Sequence, residues 1–158
     1  AKVKSMAEAI KIDFAGKNPL LICVLKGSFL FFADLVKYLP EDIEVEFLRI
    51  SSYSGGMQTS GQVNILSEIP VTVAGRNVIV VEDIVDSGLS VIKILEILEH
   101  RKPLSISFAS LLIKKDIKNF DVKIDYIGFR IPDKFVIGYG LDYKQRYRNL
   151  DSIYVLSE

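Results

Sequence analysis

The chain has no tryptophan, a single histidine and a single cysteine. One cysteine rules out a disulfide within the chain. It leaves Cys23, inside the apolar run Leu20–Leu25, as a small core residue suited to a reducing cytoplasm. With one histidine there is no His/Cys cage for zinc and no Ser/His/Asp or Cys/His triad. His100 precedes Arg101-Lys102-Pro103 at the end of a helical pattern, where a cation favours the helix dipole, so it reads as a cap. An excess of charge is missing as well: 20 basic and 20 acidic residues leave a formal net charge of +0. General nucleic-acid and membrane-surface binders carry a basic excess, so neither class fits. No apolar run approaches the roughly 18 residues of a membrane span. The hydrophobic content of 49% therefore belongs to a core or a subunit interface. No signal peptide, repeat, linker or low-complexity segment is visible, and 158 residues make one ordinary domain. The chain opens at Ala1 rather than Met, already inside a helical pattern, which points to a trimmed N-terminus.

Residues 78–90 organise the rest. Val78-Ile79-Val80-Val81 is a β-branched run, the mark of a strand buried on both faces. Two adjacent carboxylates, Glu82 and Asp83, end it. Asp86 and the turn Ser87-Gly88 follow, and then Leu89, Ile92 and Leu95 fall at helical spacing. In an open α/β sheet, this order places the acids beyond the strands' carboxyl ends, where ligands bind. The free N–H groups of a helix N-terminus make an anion site. Gly88 lets the backbone approach a phosphate, and Ser87 and Ser90 add hydroxyl donors. Adjacent carboxylates accept from the hydroxyls of a ribose diol, and Asp86 is placed to exchange a proton or to hydrogen-bond across the sugar. Acids that merely cap the helix are the bland alternative, which suits one acid better than three.

The other elements follow from periodicity. Val3, Met6, Ala7, Ile10 and Phe14 share a helical face, with Gly16 as a stop. Residues 20–25 form a central strand ending in Lys26-Gly27-Ser28, and a helical stretch then runs from Phe29 to Leu39. Lys26 is either a solvated loop lysine or part of a site. Residues 43–50 alternate as a strand with one wet face and lead into residues 52–61, rich in glycine and hydroxyl groups. That segment is a slack hairpin connection or a lid that closes over a reacting centre. Further strands are read at residues 63–66, 105–113, 125–131, 135–140 and 152–156. The tail from Leu141 to Leu150 is dense in charge and aromatics. Stacking on a single-stranded nucleic acid is weakly supported in a neutral chain.

The stretch Val-Ile-Val-Val-Glu-Asp-Ile-Val-Asp-Ser-Gly-Leu-Ser resembles the 5-phosphoribosyl-1-pyrophosphate (PRPP) motif of type I phosphoribosyltransferases. From about Leu20 to the C-terminus the chain is similar to the hypoxanthine-guanine phosphoribosyltransferase family. Ser90 is one departure, since the family often has Thr there. The resemblance implies an α/β fold: a mostly parallel twisted sheet of about five strands flanked by helices. It also implies one domain, with a core at about residues 15–130 and a small hood from about residue 131 plus the first residues. The activity implied is purine salvage, the magnesium-dependent transfer of phosphoribosyl from PRPP to hypoxanthine or guanine, giving IMP or GMP and pyrophosphate.

On this resemblance Lys26, Gly27 and Arg148 face pyrophosphate, and the Leu25–Lys26 peptide is cis. Residues 86–90, including Ser87, Gly88, Leu89 and Ser90, hold the 5-phosphate, while Glu82 and Asp83 hold the ribose diol or its metal. Asp86 takes the purine N7 proton. Lys114 donates to the 6-oxo group, Phe135 stacks on the base, and the carbonyls of Val136 and Asp142 face its edge. Asp142 meets magnesium together with Glu82 and Asp83, and a lid begins at Ser52-Tyr53. The implied setting is a cytoplasmic homodimer or homotetramer. Two rivals remain, a PRPP- or nucleotide-sensing regulator on the same fold and a plain nucleotide-binding module.

Overall fold

The computed structural model describes residues 1–52, 63–69 and 72–157, with Ser52 described through its backbone alone. In chain order the elements are α1 (Lys2–Asp13), β1 (Leu20–Leu25), α2 (Phe29–Val36), β2 (Glu44–Ser52), β3 (Val63–Ile65) and β4 (Asn77–Val85). They continue with α3 (Leu89–Glu99), β5 (Ser105–Lys114), β6 (Tyr126–Ile131), β7 (Val136–Ile137) and β8 (Tyr154–Val155). One sheet has the order β3-β2-β1-β4-β5-β6, and β7 and β8 make a separate ribbon. All neighbours in the large sheet are parallel except β3, which lies antiparallel on β2. This is the mostly parallel α/β sheet expected from sequence, with an antiparallel edge strand added.

The apolar runs of β1 and β4 are continuous because both faces of the sheet are covered. Leu21, Cys23, Ile79 and Val81 pack with α1 and α2, while Leu20, Ile22, Val24, Val78 and Val80 pack with α3. All of these are fully buried save Val24, which is 3% exposed. Burial of a Val, Leu or Ile side chain contributes roughly 1.5–3 kcal/mol, so these two strands dominate the stability of the fold. Met6, Ala7 and Ile10 are the buried face of α1, which lies against α2 and β6. Tyr126 of β6 donates its hydroxyl to Asp13 at 2.7 Å. At the far end of α3 His100 is the C-cap, its Nδ1 2.7 Å from the carbonyl of Glu96.

Two sequence expectations change. The helix begun at Phe29 ends at Val36 rather than Leu39, the chain turning there to enter β2. The strand expected over residues 135–140 stops at Ile137, because Gly138, Tyr139 and Gly140 all take positive φ (92°, 51° and 101°). A left-handed run cannot continue a pleated strand.

The sheet carries one irregular row. Pairing of β4 with β5 passes from Glu82↔Ser110 to Ile84↔Leu112, and pairing of β5 with β6 passes from Ser110↔Ile127 to Leu112↔Phe129. Asp83, Leu111 and Gly128 are thus left out at one level across three strands. Side-chain alternation changes phase there: Val81 and Ile84 pack on the same face, as do Leu111 and Leu112. Asp83 Oδ1 accepts the Ile84 N–H at 2.7 Å. A Cβ on Gly128 would collide with the carbonyl oxygen of Leu111, a backbone atom that cannot swing aside. Gly128→Ala should therefore cost about 1–3 kcal/mol, as overpacking does, read as a lower urea midpoint with unchanged slope. A midpoint equal to that of the parent protein would show that the row relaxes freely.

Candidate active site

The chain leaves β1 toward β2 on one side, and β4 takes β1's other side, so the crevice past their carboxyl ends lies at a topological switch point. A cleft of about 710 Å³ opens there. Its lining includes Lys26, Gly27, Asp83, Asp86, Ser87, Leu89, Ser90, Lys114, Phe135, Val136, Asp142 and Arg148. Residues from four separate stretches of sequence thus face one space.

The floor is built by close packing. The peptide Leu25–Lys26 is cis. A Cβ on Gly27 would fall on the carboxylate of Asp83, and one on Gly140 would fall on the carbonyl oxygen of Gly27. Only glycines at both positions let the loop after β1 sit between the end of β4 and the turn after β7. Arg148 fastens that turn from outside. Its Nη1 donates to the carbonyl of Gly140 at 2.7 Å, and the Gly140 N–H donates to the Arg148 carbonyl at 2.8 Å.

None of the three acids caps α3. Asp83 bonds the Ile84 N–H, Asp86 pairs with Lys114, and Glu82 is buried at 4% exposure. The N-cap of α3 is Gly88 in the left-handed region (φ 82°), with the Phe120 ring where its Cβ would be. Leu89 N–H reaches only Ser87 Oγ, at 3.4 Å. The first turn of α3 therefore presents its N–H groups and positive dipole end to the cleft beside the hydroxyls of Ser87 and Ser90.

Across the cleft, Lys114 is held at the end of β5 between two carboxylates, Asp86 Oδ1 at 3.0 Å and Asp133 Oδ1 at 2.7 Å. Burial alone would lower the pKa of this lysine. The hydrogen bonds and charges of Asp133 and Asp86 outweigh that and raise it above its ordinary value. Lys114 is a fixed cation. The ring of Phe135 meets Tyr143 edge to face, with centroids 5.8 Å apart, so its orientation is set.

The family model for the phosphoribosyl transferase domain matches residues 1–144. The chain belongs to the phosphoribosyltransferase family. It is 41% identical over 157 residues to a hypoxanthine-guanine phosphoribosyltransferase of Streptococcus thermophilus (strain CNRZ 1066), covering 99% of this chain and 87% of that one. A relative of the same name in Bacillus subtilis (strain 168) is 42% identical over 155 residues, covering 98% and 86%. The crystal structure of a hypoxanthine-guanine phosphoribosyltransferase from Bacillus anthracis superimposes with a TM-score of 0.91 at 42% identity, covering 99% and 92%. This protein is accordingly a pentosyltransferase enzyme.

Charge in this phosphoribosyltransferase is unevenly spread. Among the described residues lining the cleft, the cations Lys26, Arg49, Lys114, Lys134, Lys144 and Arg148 outnumber the carboxylates Asp83, Asp86 and Asp142. A chain of zero net charge thus presents a cationic cleft, suited to a substrate with several phosphates. Burial, and then the charge of Asp83, push Glu82 well above the usual carboxylate range. Among the described residues its Oε1 has no hydrogen-bond partner. Glu82 lies behind the cleft lining, whereas Asp83 reaches it. No three His, Cys, Asp or Glu groups among the described residues converge as a metal cage. The donor set is carboxylate and hydroxyl oxygen, which fits a hard cation that draws its other ligands from substrate phosphates and water.

Of the expected lid, Ser52 is described only as the last residue of β2, opposite Val63, and Tyr53 lies outside the described residues. Sequence reading missed Asp133, Gln145, Arg49, Lys134 and Lys144. For Asp133 and Gln145 the missing information is the partner: Lys114 is 19 residues from Asp133, and Lys26 is 119 from Gln145.

Burial pushes Asp83 up to about 6, although the Ile84 N–H and the Arg148 guanidinium favour its anion. Because the folded form binds the extra proton, this stability is fully present below the ordinary value of 3.8. It is lost as pH rises through about 6. The protein without substrate should lose up to about 1.4 kcal/mol per pH unit in that window. Asp83→Asn should flatten the profile measured by urea unfolding at successive pH values. A slope undiminished in that variant would place the titrating charge elsewhere.

Proposed function

We propose that this enzyme transfers the phosphoribosyl group of PRPP to hypoxanthine or guanine, yielding IMP or GMP and pyrophosphate. The observation that carries the reading is the Lys114–Asp86 pair at 3.0 Å. A 6-oxopurine with its proton on N7 presents an acceptor (O6) and a donor (N7–H) side by side on one edge. The pair presents a donor and an acceptor side by side in return. Phe135 supplies the stacking face, and the backbone carbonyls of Val136 and Asp142 suit the 2-amino group of guanine.

In this reading the first turn of α3, with Ser87, Gly88, Leu89 and Ser90, holds the 5-phosphate, and Lys26, Gly27 and Arg148 hold the pyrophosphate. Asp83, backed by Glu82, accepts from the ribose hydroxyls. Asp83 and Asp142 are the groups that would hold magnesium, while Glu82, expected to join them, is buried behind the cleft lining; a bound magnesium ion would neutralise charge on the departing pyrophosphate. Base N9 forms its bond to ribose C1 as the bond from C1 to the pyrophosphate oxygen breaks, that electron pair leaving with pyrophosphate. The N7 proton passes to Asp86, whose carboxylate lies beside the Lys114 ammonium. Fixed cations around the cleft stabilise the leaving group without reorganising.

Residues 1–158 act in this reading as one domain. The hood over the purine takes in residues from about 131 onward together with the first residues, whose helix α1 also packs on the core. The cytoplasm and a homodimer or homotetramer are the setting. No described helix is long and apolar enough to cross a membrane, and Phe47 at 47% exposure and Val45 at 39% leave apolar surface on β2 for a second copy. A regulator that senses PRPP or nucleotides on the same fold would bind without turnover.

Nucleotide formation from PRPP and each purine in the presence of magnesium separates the two. Asp86→Asn should lower kcat by roughly 10²–10⁴ while PRPP still binds; a kcat near that of the parent enzyme removes Asp86 from proton transfer. Adenine sets its 6-amino donor against the Lys114 ammonium, and sites of this kind reject the wrong analogue by about 10⁴–10⁵ in kcat/KM. Lys114→Met should reduce hypoxanthine use far more than adenine use. An unchanged ratio would move base discrimination to the backbone near Val136.

A further inference from the structure

Gln145 stands in a tight turn at the mouth of the cleft. Tyr143 and Arg146 close the turn with reciprocal backbone hydrogen bonds of 3.1 and 3.0 Å. The two residues between them, Lys144 and Gln145, both have positive φ, 51° and 65°. That is the type I′ turn, ordinarily built from Asn and Gly. Side chains as long as these sit there at a cost of about 1–2 kcal/mol each, and surrounding contacts must hold them. One such contact is explicit: Asp142 Oδ2 accepts the backbone N–H of Gln145 at 2.7 Å.

The strained backbone aims a single atom. The side-chain oxygen of Gln145 accepts from Lys26 Nζ at 3.3 Å and from Arg148 Nη2 at 3.1 Å. Two cations offering donors assign this atom as the oxygen rather than the nitrogen of the amide. Lys26 comes from the loop after β1 and Arg148 from the far side of the turn, and their like charges would drive them apart. An amide oxygen holds both and adds no negative charge to that of Asp142, whose Oδ1 lies 3.4 Å from Arg148 Nη2. A carboxylate at that point would hold them more firmly, but it would neutralise part of the field and repel an incoming anion.

We propose that Gln145 is a positioning residue. It keeps Lys26 and Arg148 converged on the pyrophosphate group, and its neutrality adds no offset to their charges beyond that of Asp142. The inference rests on the reading of Lys26 and Arg148 as pyrophosphate contacts.

The test is calorimetric binding of inorganic pyrophosphate with magnesium to the whole protein, in low and high salt, alongside kinetics with PRPP and hypoxanthine. Gln145 is exposed, so Gln145→Ala and Gln145→Glu should both fold, as thermal unfolding checks. Gln145→Ala should weaken pyrophosphate binding and raise KM for PRPP by about tenfold, the scale of one hydrogen bond to a charged group. Its kcat and its KM for hypoxanthine should stay within about twofold, as expected when only ground-state positioning of one substrate is lost. Gln145→Glu should weaken binding further and make its salt dependence shallower, because one positive charge has been offset. Both variants binding pyrophosphate as the parent does would overturn the positioning role. Gln145→Glu binding as tightly as the parent, with Gln145→Ala weakened, would overturn the role of neutrality. Parent protein that binds no pyrophosphate, or variants Lys26→Ala and Arg148→Ala that bind it unimpaired, would overturn the underlying reading of the two cations, and this proposal with it.

Discussion

The cleft depends on the close approach of the Asp83 carboxylate to the backbone of residue 27. No side chain fits at that position, and none fits at residue 140, whose backbone presses on the carbonyl of Gly27. The end of β1, the end of β4 and the turn after β7 are therefore one packed unit. Arg148 grips the outside of that unit through Gly140. Displacing any one of these segments would move groups contributed by the other two. Such tight supporting contacts hold site residues to the geometry that a reaction needs. The irregular row through Asp83, Leu111 and Gly128 belongs to the same constraint, since it frees the Ile84 N–H to hold the Asp83 carboxylate.

Electrostatics in this protein are a matter of arrangement. The chain as a whole is neutral, yet its cleft gathers an excess of Lys and Arg. Each reactive group there has an assigned neighbour. Lys114 is clamped by Asp86 and Asp133, and Arg148 faces Asp142 at 3.4 Å while sharing Gln145 with Lys26. Polar groups fixed in advance stabilise developing charge without the reorganisation that water would need. The exposure of Asp133, at 87% of its side chain, means its ion pair with Lys114 works by orientation more than by strength.

Most of the stability comes from the inner strands, and much of the strain lies at the cleft. The inner strands β1 and β4 are regular and buried along their apolar runs, and they carry the core on both faces. Costly features at the cleft include the buried acid Glu82 beside Asp83, and the left-handed Tyr139, Lys144, Gln145 and Tyr147, while Asn18, Lys102 and Asn119 are left-handed elsewhere. Each such left-handed residue costs on the order of 1–3 kcal/mol and persists because its surroundings fix it.

The sequence by itself determined the layered α/β architecture, because a strand covered on both faces must be apolar over a continuous run and Leu20–Leu25 of β1 and Val78–Val81 of β4 are such runs. It also determined the acidic turn of residues 82–90, since strand, acids, glycine and helix are consecutive and their geometry is local. His100 as the cap of α3 was legible for the same reason. Tertiary structure alone decided that Glu82 lies behind the cleft while Asp83 reaches it, because the phase change at the irregular row depends on three strands together. It decided that β7 stops at Ile137, since the left-handed turn through Gly140 is set by packing on Gly27. It also paired Lys114 with Asp133 and placed Gln145 between Lys26 and Arg148. Asp133 is 19 residues from Lys114 and Gln145 is 119 from Lys26, and no local pattern of residues records which of them the fold brings together.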